Sequence, residues 1–258
     1  CKMKTKMETI ILAGGLGSRL DEITKIIPKP LVKIGGFPIL EHIIKYFVTH
    51  NNLNFVIALG YKGEKIVEYF IKEKITNKIK KELKKGYVVK KTYFKKNCNI
   101  KFLNTGLKTM TGGRVKQALK FIKNQNCYLT YGDGVSNVNL KRLLDLHSKK
   151  KKLVTVTAVN PQSRFGELKI KNKQVTSFSE KKKMLQSWVN GGFFVINKKF
   201  GNLIKNNMTI LEREPLEKAA RKGELVAYKH HGFWQCMDTK RDKDNLNSIF
   251  KKNKKFNT

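Results

Sequence analysis

Residues 8–13, Glu-Thr-Ile-Ile-Leu-Ala, form a nearly continuous apolar run that is too short for a helix and lacks the alternation of a strand with one wet face. Such a run predicts a strand buried on both sides, near the middle of a sheet. Helical spacing of apolar residues follows over 39–51, a second short apolar strand over 54–58, and a second amphipathic helix over 63–74. The same rhythm returns with a strand at 101–104, a helix at 113–123 that sets Val115, Leu119 and Ile122 on one face, and a strand at 127–131. Short apolar strands alternating with helices predict a parallel sheet. Beyond residue 150 the rhythm changes. Strand-like segments at 154–158, 166–170, 174–179 and 193–196 follow closely, with Lys171-Asn172-Lys173 as a hairpin turn, so antiparallel pairing is expected there. A strand at 225–228 and a helix at 242–251 complete the pattern, and no Pro/Gly/Ser linker divides it. One α/β domain over 1–258 is expected, its sheet mixed but mainly parallel and flanked by helices.

Chemistry gathers where the first strand ends. Leu12-Ala-Gly-Gly-Leu-Gly-Ser-Arg-Leu20 is followed by Pro28-Lys29-Pro30. Gly14, Gly15 and Gly17 let backbone N–H groups approach an anion, Ser18 adds a hydroxyl donor, and Arg19 adds a planar fork for phosphate oxygens. Lys29 stands between two prolines that restrict its backbone. A polyphosphate is the ligand such a loop suits. The dinucleotide fingerprint fails because no third glycine follows Gly17 at the required place, and the P-loop fails because no Gly-Lys-Ser/Thr closes the segment. At the end of the 127–131 strand, Gly132-Asp133-Gly134 leaves a carboxylate unobstructed, as a magnesium ligand requires. Ligands of open α/β sheets bind beyond the carboxyl ends of the strands, which puts this turn and the glycine loop on one edge.

These segments, with Pro28-Lys-Pro-Leu-Val-Lys-Ile-Gly-Gly36, resemble the N-terminal motif of the sugar-nucleotide pyrophosphorylases, which join a nucleoside triphosphate to a sugar 1-phosphate. The likeness continues through Asn104-Thr-Gly106, Met110-Thr-Gly-Gly-Arg114, Tyr131-Gly-Asp-Gly134, Arg164-Phe-Gly166, Asn190-Gly-Gly-Phe-Phe-Val195, Glu214-Pro-Leu216 and Gly232-Phe-Trp-Gln-Cys-Met-Asp-Thr239. It is weakest over 72–101, where lysines crowd out any motif. The resemblance implies a Rossmann-like nucleotidyltransferase fold, with residues 7–135 as a nucleotide-binding half and 136–258 as a sugar-binding half. By the same resemblance CTP and glucose 1-phosphate are the substrates, giving CDP-glucose and pyrophosphate; the alternatives are the same chemistry with UTP or dTTP, or a non-catalytic member that binds sugar nucleotide. Nucleotide binding then falls to Leu12, Ala13, Gly14, Gly15, Leu16, Gly17, Ser18, Arg19, Lys29, Thr109, Thr111, Gly112, Arg114, Tyr131 and Gly132. Arg19, Lys29 and Asp133 are implied in catalysis, and Asp133 with Asp238 in holding Mg²⁺. The Thr109 and Thr111 hydroxyls and Arg114, placed just before a helix, would read the base. Lys181 and Asn190 with Gly191 are implied on the sugar phosphate, although Glu180-Lys181-Lys182 lacks the proline of the related Glu-Lys-Pro segment. The Gly191-Gly192 pair either leaves room for a pyranose or marks a β-bulge.

Composition changes the picture in one respect. Fifty-five Lys and Arg against 19 Asp and Glu give a formal net charge of +36, which alone would suggest nucleic acid or an anionic membrane. The excess is mostly lysine spread along the chain, and no aromatic or Arg residues interleave with the basic runs 80–85 and 149–152, as a single-strand stacking platform would require. Neither a nucleic-acid nor a membrane partner is expected; the positive field instead attracts CTP and a sugar phosphate. No run reaches the roughly 18 to 20 apolar residues that span a bilayer, and the first residues hold no apolar leader, so a cytoplasmic protein is expected, as a homo-oligomer. Cys1, Cys98, Cys127 and Cys236 show no metal or disulfide spacing and read as free thiols. The five histidines offer no metal pair.

Overall fold

All six residues of β1 (Glu8–Ala13) are buried, and the strand lies inside an eight-stranded sheet in the computed structural model, which describes residues 7–15, 24–161, 167–179 and 188–253. After it come a 3-10 turn (Lys29–Leu31), β2 (Lys33–Ile34), β3 (Phe37–Pro38), α1 (Ile39–Thr49), β4 (Asn54–Leu59), α2 (Gly63–Ile71), α3 (Asn77–Leu83), β5 (Tyr87–Tyr93) and β6 (Lys96–Asn104). Then follow α4 (Thr111–Leu119), β7 (Asn126–Tyr131), β8 (Gly134–Ser136), α5 (Leu140–Lys150) and β9 (Val154–Val159). The last elements are β10 (Glu167–Lys171), β11 (Gln174–Ser179), β12 (Val189–Asn197), a 3-10 segment (Lys198–Leu203), α6 (Glu214–Arg221), β13 (Leu225–His230), β14 (Trp234–Cys236) and α7 (Lys240–Asn253).

The sheet order is β13-β9-β12-β7-β1-β4-β6-β5. β1 pairs in parallel with β4 and β7, β4 with β6, and β9 with β13, while β12 runs antiparallel to both β7 and β9, and β5 to β6. Alternate side chains of β1 therefore enter two cores. Ile11 and Ala13 meet Ile43 and Phe47 of α1 and Phe70 of α2; Ile10 and Leu12 meet Val115 and Ala118 of α4 and Ala219 of α6. Helices on both faces make three layers, which is why the central strands read as apolar runs without alternation.

Several bounds differ from the sequence expectation, each for a local reason. α4 starts at Thr111, so Thr111, Gly112 and Arg114 sit in its first turn and not before it. β6 begins at Lys96, and β5 and α3 occupy the lysine-rich stretch where no element was expected. β12 runs from Val189 and shifts register against β9 between Asn190 and Phe194, so the Gly191-Gly192 pair does mark a bulge. A Cβ on Gly191 would come within 2.8 Å of Val159, and Gly192 has φ +75 with the Tyr131 ring 2.7 Å from where its Cβ would lie. The two glycines answer to packing against β9 and Tyr131, and both also line the cavity beside the β7 turn.

Candidate active site

β1 and β7 lie side by side with Leu12 opposite Tyr131, and the Gly132 N–H donates to the Leu12 carbonyl at 2.9 Å. The expected shared edge is therefore real. Pro30 closes onto it: a Cβ on Gly132 would meet the Leu12 carbonyl at 3.0 Å and the Pro30 ring at 3.3 Å. That close approach delivers Lys29, whose turn is fixed by the bond from the Leu31 N–H to the Pro28 carbonyl. Asp238 arrives from the other end of the chain. β14 pairs antiparallel with β8, Cys236 opposite Gly134, and the Met237 N–H donates to the Asp133 carbonyl at 2.9 Å. The entrance to α7 then sets Asp238 in place, because the Asp242 carboxylate accepts from the N–H groups of Asp238 and Thr239, while the Thr239 hydroxyl accepts from the Asp242 N–H. This is a capping box.

The result is a three-group centre. Lys29 Nζ donates to Asp133 Oδ2 and to Asp238 Oδ1, each at 2.7 Å. Burial opposes the charge on Lys29, but the attraction of Asp133 and the hydrogen bonds to both carboxylates outweigh it, and its pKa stands above the ordinary lysine value. Beside the centre, Thr130, Tyr131, Asp133, Asn190, Trp234 and Asp238 help line a cavity of about 270 Å³. The Trp234 indole N–H donates to the Gly191 carbonyl at 2.7 Å and so ties β14 to the β12 bulge. Cys236 also faces this cavity; burial, with Asp238 and Asp133 next to it, pushes its thiol up to about 12 and keeps it protonated.

Glu212, which no pattern in the sequence marked, joins three of the expected residues. Its carboxylate accepts from the Tyr131 hydroxyl and, at 2.7 Å, from the Thr111 hydroxyl, while the Asn190 amide reaches the Tyr131 oxygen at 3.4 Å. Burial and then the Glu212 charge push the Tyr131 phenol well above its ordinary range, so it acts as a neutral donor. Glu212 would have been visible only through its partners, since it belongs to no short motif with its own chemistry, whereas Trp234 lies inside the 232–239 motif without a role assigned to it.

Arg114 takes a different place from the one expected. Its Nη1 donates to the carbonyls of Leu59 at 2.7 Å and Gly106 at 3.0 Å and to the Thr105 hydroxyl; its Nη2 donates to the carbonyls of Gly14 at 3.1 Å and Leu107 at 3.4 Å. A Cβ on Gly14 or Gly60 would lie 2.5 Å from the guanidinium. The hydrogens that were to read a base or a phosphate are committed to the loops after β1, β4 and β6. Thr109 likewise donates to the Thr105 carbonyl at 2.5 Å, and Thr111, besides its bond to Glu212, accepts from the Leu211 N–H. Base recognition by these three side chains is therefore corrected: Arg114 and Thr109 brace the loops around Gly14 and residues 105–107, and Thr111 ties the start of α4 to Leu211 and Glu212. Gly15 remains exposed with open space around it. Leu16, Gly17, Ser18, Arg19 and Lys181 lie outside the described residues.

Two carboxylates aimed at one point, reached from a cavity and already drawing a cation, form a hard oxygen donor set that fits a magnesium ion. Among the described residues no cluster of three or more His, Cys, Asp or Glu side chains forms, so the remaining ligands would come from phosphate and water. None of the described helices is long and apolar enough to cross a membrane.

A mixed, mainly parallel sheet with a glycine turn and Asp133 at the carboxyl ends of central strands, joined there by a prolyl-flanked lysine and by Asp238, is the frame of a nucleotidyltransferase. The chain belongs to the nucleotidyl transferase family, whose sequence pattern matches residues 8–255. It is 43% identical over 250 residues to the glucose-1-phosphate cytidylyltransferase of Salmonella typhimurium (strain LT2), covering 96% of this chain and 97% of that one. It is 41% identical over 246 residues to the Bacillus subtilis (strain 168) protein named "Probable glucose-1-phosphate cytidylyltransferase", covering 95% and 96%. In fold it is similar to the crystal structure of HddC from Yersinia pseudotuberculosis, with a TM-score of 0.71 at 23% identity over 95% of this chain and 99% of the other.

Proposed function

We propose that this chain transfers the cytidylyl group of CTP to α-D-glucose 1-phosphate, giving CDP-glucose and pyrophosphate, with a magnesium ion held by Asp133 and Asp238. The convergence of these two carboxylates on a single cation beside the 270 Å³ cavity carries the reading. The identity to the Salmonella enzyme over nearly its whole length supports the choice of base and sugar.

In this reaction a phosphate oxygen of the sugar 1-phosphate forms a bond to the α-phosphorus while the bond to the bridging oxygen of the pyrophosphate breaks. Such a transfer needs positioning and charge neutralisation more than a covalent helper. When bound, the magnesium ion supplies charge neutralisation at the phosphates and draws them together. The protein supplies the rest. The backbone N–H groups of the glycine loop and Arg19 hold the leaving β and γ phosphates, Lys29 takes a phosphate oxygen, and Arg114 keeps the loop in shape from below. Asn190 and the Tyr131 hydroxyl, oriented by Glu212, meet sugar hydroxyls, and Lys181 meets the sugar phosphate. Nucleotide is then met mainly by the 7–135 half and sugar mainly by the 136–258 half, with the metal pair astride both. The exception is Tyr131, expected as a nucleotide contact, which Glu212 and Asn190 turn toward the sugar side.

Pyrophosphate release measured with each of the four nucleoside triphosphates against a panel of sugar 1-phosphates tests this. CTP with glucose 1-phosphate is expected to exceed UTP by more than about tenfold in kcat/KM, the size of one mismatched buried polar pair. Equal efficiency with CTP and UTP would remove the cytidylyl assignment and leave nucleotidyl transfer in place.

A further inference from the structure

We infer that Lys29 is an internal counter-ion that occupies the metal's position between Asp133 and Asp238 in the resting protein, so that the site accepts a divalent cation only as the triphosphate draws the lysine away. The inference rests on the two aspartates being the metal pair. Its starting point is geometric. The two carboxylates are fixed independently of the lysine: Asp133 by a glycine-flanked turn whose carbonyl accepts from the Met237 N–H, Asp238 by the Asp242 cap that receives its N–H. Brought to one point the two negative charges repel, so a cation between them stabilises the pair. In the resting state that cation is the Lys29 ammonium, 2.7 Å from each.

An exposed pair between one lysine and one carboxylate would hold little of this geometry in place. Lys29 engages two, and its side chain is only 12% exposed. A divalent ion bound to both aspartates with the ammonium still between them would place like charges in contact, so one must leave. The backbone of Lys29 cannot, since Pro28, Pro30 and the turn hold it, with Pro30 buried. The four-carbon stem can turn about its own bonds and carry the ammonium to a new anion. Triphosphate oxygens are the anion that the neighbouring loop is built to bring. By linkage, whatever favours lysine on phosphate favours metal on the aspartates to the same degree, so nucleotide and metal bind cooperatively and either alone binds weakly.

The test uses the whole chain without nucleotide and Mn²⁺ as the probe, with free Mn²⁺ followed by electron paramagnetic resonance. Lys29→Gln and Lys29→Met are each expected to bind Mn²⁺ at least about tenfold more tightly than the unmodified protein, a coupling of ordinary size. The gain is expected to vanish in Lys29→Gln combined with Asp238→Asn. Equal or weaker binding in both single variants overturns the inference and leaves the aspartates as metal ligands. No Mn²⁺ at the aspartates in any form, with CTP present or absent, overturns the metal reading itself and the inference with it. Should the single variants lose native circular dichroism, recovery of that spectrum on adding Mn²⁺ supports the inference, and failure to recover overturns it.

Discussion

Two cations, Arg114 buried and Lys29 partly buried, are satisfied in opposite ways. Arg114, 4% exposed, lies among neutral oxygens: among the described residues its acceptors are four carbonyls and one hydroxyl, gathered from the ends of three strands. Lys29 lies between two full negative charges. The guanidinium is a fork that many dipoles can hold at once, and pulling it away would orphan every one of them. The ammonium is a point charge that a stronger cation can replace. The first is a framework part and the second a working part, although a lysine and an arginine beside glycine motifs looked alike in the sequence.

Removing the working charges is expected to have the largest effect. Asp133→Asn and Asp238→Asn should each lower kcat by about a thousandfold, ~4 kcal/mol of barrier, because an amide cannot balance a divalent cation. Circular dichroism should stay native, and activity that persists in excess EDTA would break the comparison at this end. The framework side predicts the reverse. Arg114→Leu should cost ~3 kcal/mol of stability through orphaned carbonyls, seen as a fall in Tm of roughly 10 °C. An Arg114→Leu protein with unchanged Tm but weakened CTP binding would return the residue to the nucleotide.

Glu212 lies between the two cases, a charge held by neutral hydroxyls. Glu212→Gln should raise KM for the sugar phosphate about threefold to tenfold, as Tyr131 loses its oriented acceptor, with KM for CTP nearly unchanged. An equal rise in both constants would assign Glu212 to the loop and not to the sugar side.

His147 sharpens the contrast at the smallest scale. It is a buried residue of α5, its ring nitrogen 3.0 Å from the Thr155 hydroxyl of β9, and burial lowers its pKa below the ordinary 6.5. Where Arg114 keeps its proton among dipoles, this weaker base gives its proton up. The folded form therefore binds fewer protons than the unfolded chain, so stability is full above about pH 6.5 and falls as pH drops below it. His147→Gln should flatten that fall in a series of Tm measurements. It should not abolish it, because His42 and His230 are lowered by burial as well.

Much of this was legible because the relevant information is local. The unbroken apolar run of β1 announces burial on two sides, and Gly132-Asp133-Gly134 announces an open carboxylate whatever surrounds it. β5 was hidden because it is an edge strand: Tyr87, Val89, Lys91 and Tyr93 are half-buried while Val88, Lys90 and Thr92 are exposed, and lysine on both faces erases the alternation. Arg114 was misread for a different reason. The carbonyls of Gly14, Leu59 and Gly106 converge on it from segments up to 100 residues away, and no spacing rule records such a meeting. The partners of Glu212 are equally remote, Tyr131 lying 81 positions earlier.

The short β8–β14 ladder has a consequence for how the protein is born. Synthesis from the amino end brings out the last strand of the eight-stranded sheet by residue 230, but Asp238 follows Lys29 by 209 positions and meets it only after 234–236 have paired with 134–136. A nascent chain can thus hold most of its scaffold while still lacking a competent centre. The centre is completed only by 234–238, so a product that stops at residue 230 would carry every strand of the eight-stranded sheet and lack Asp238.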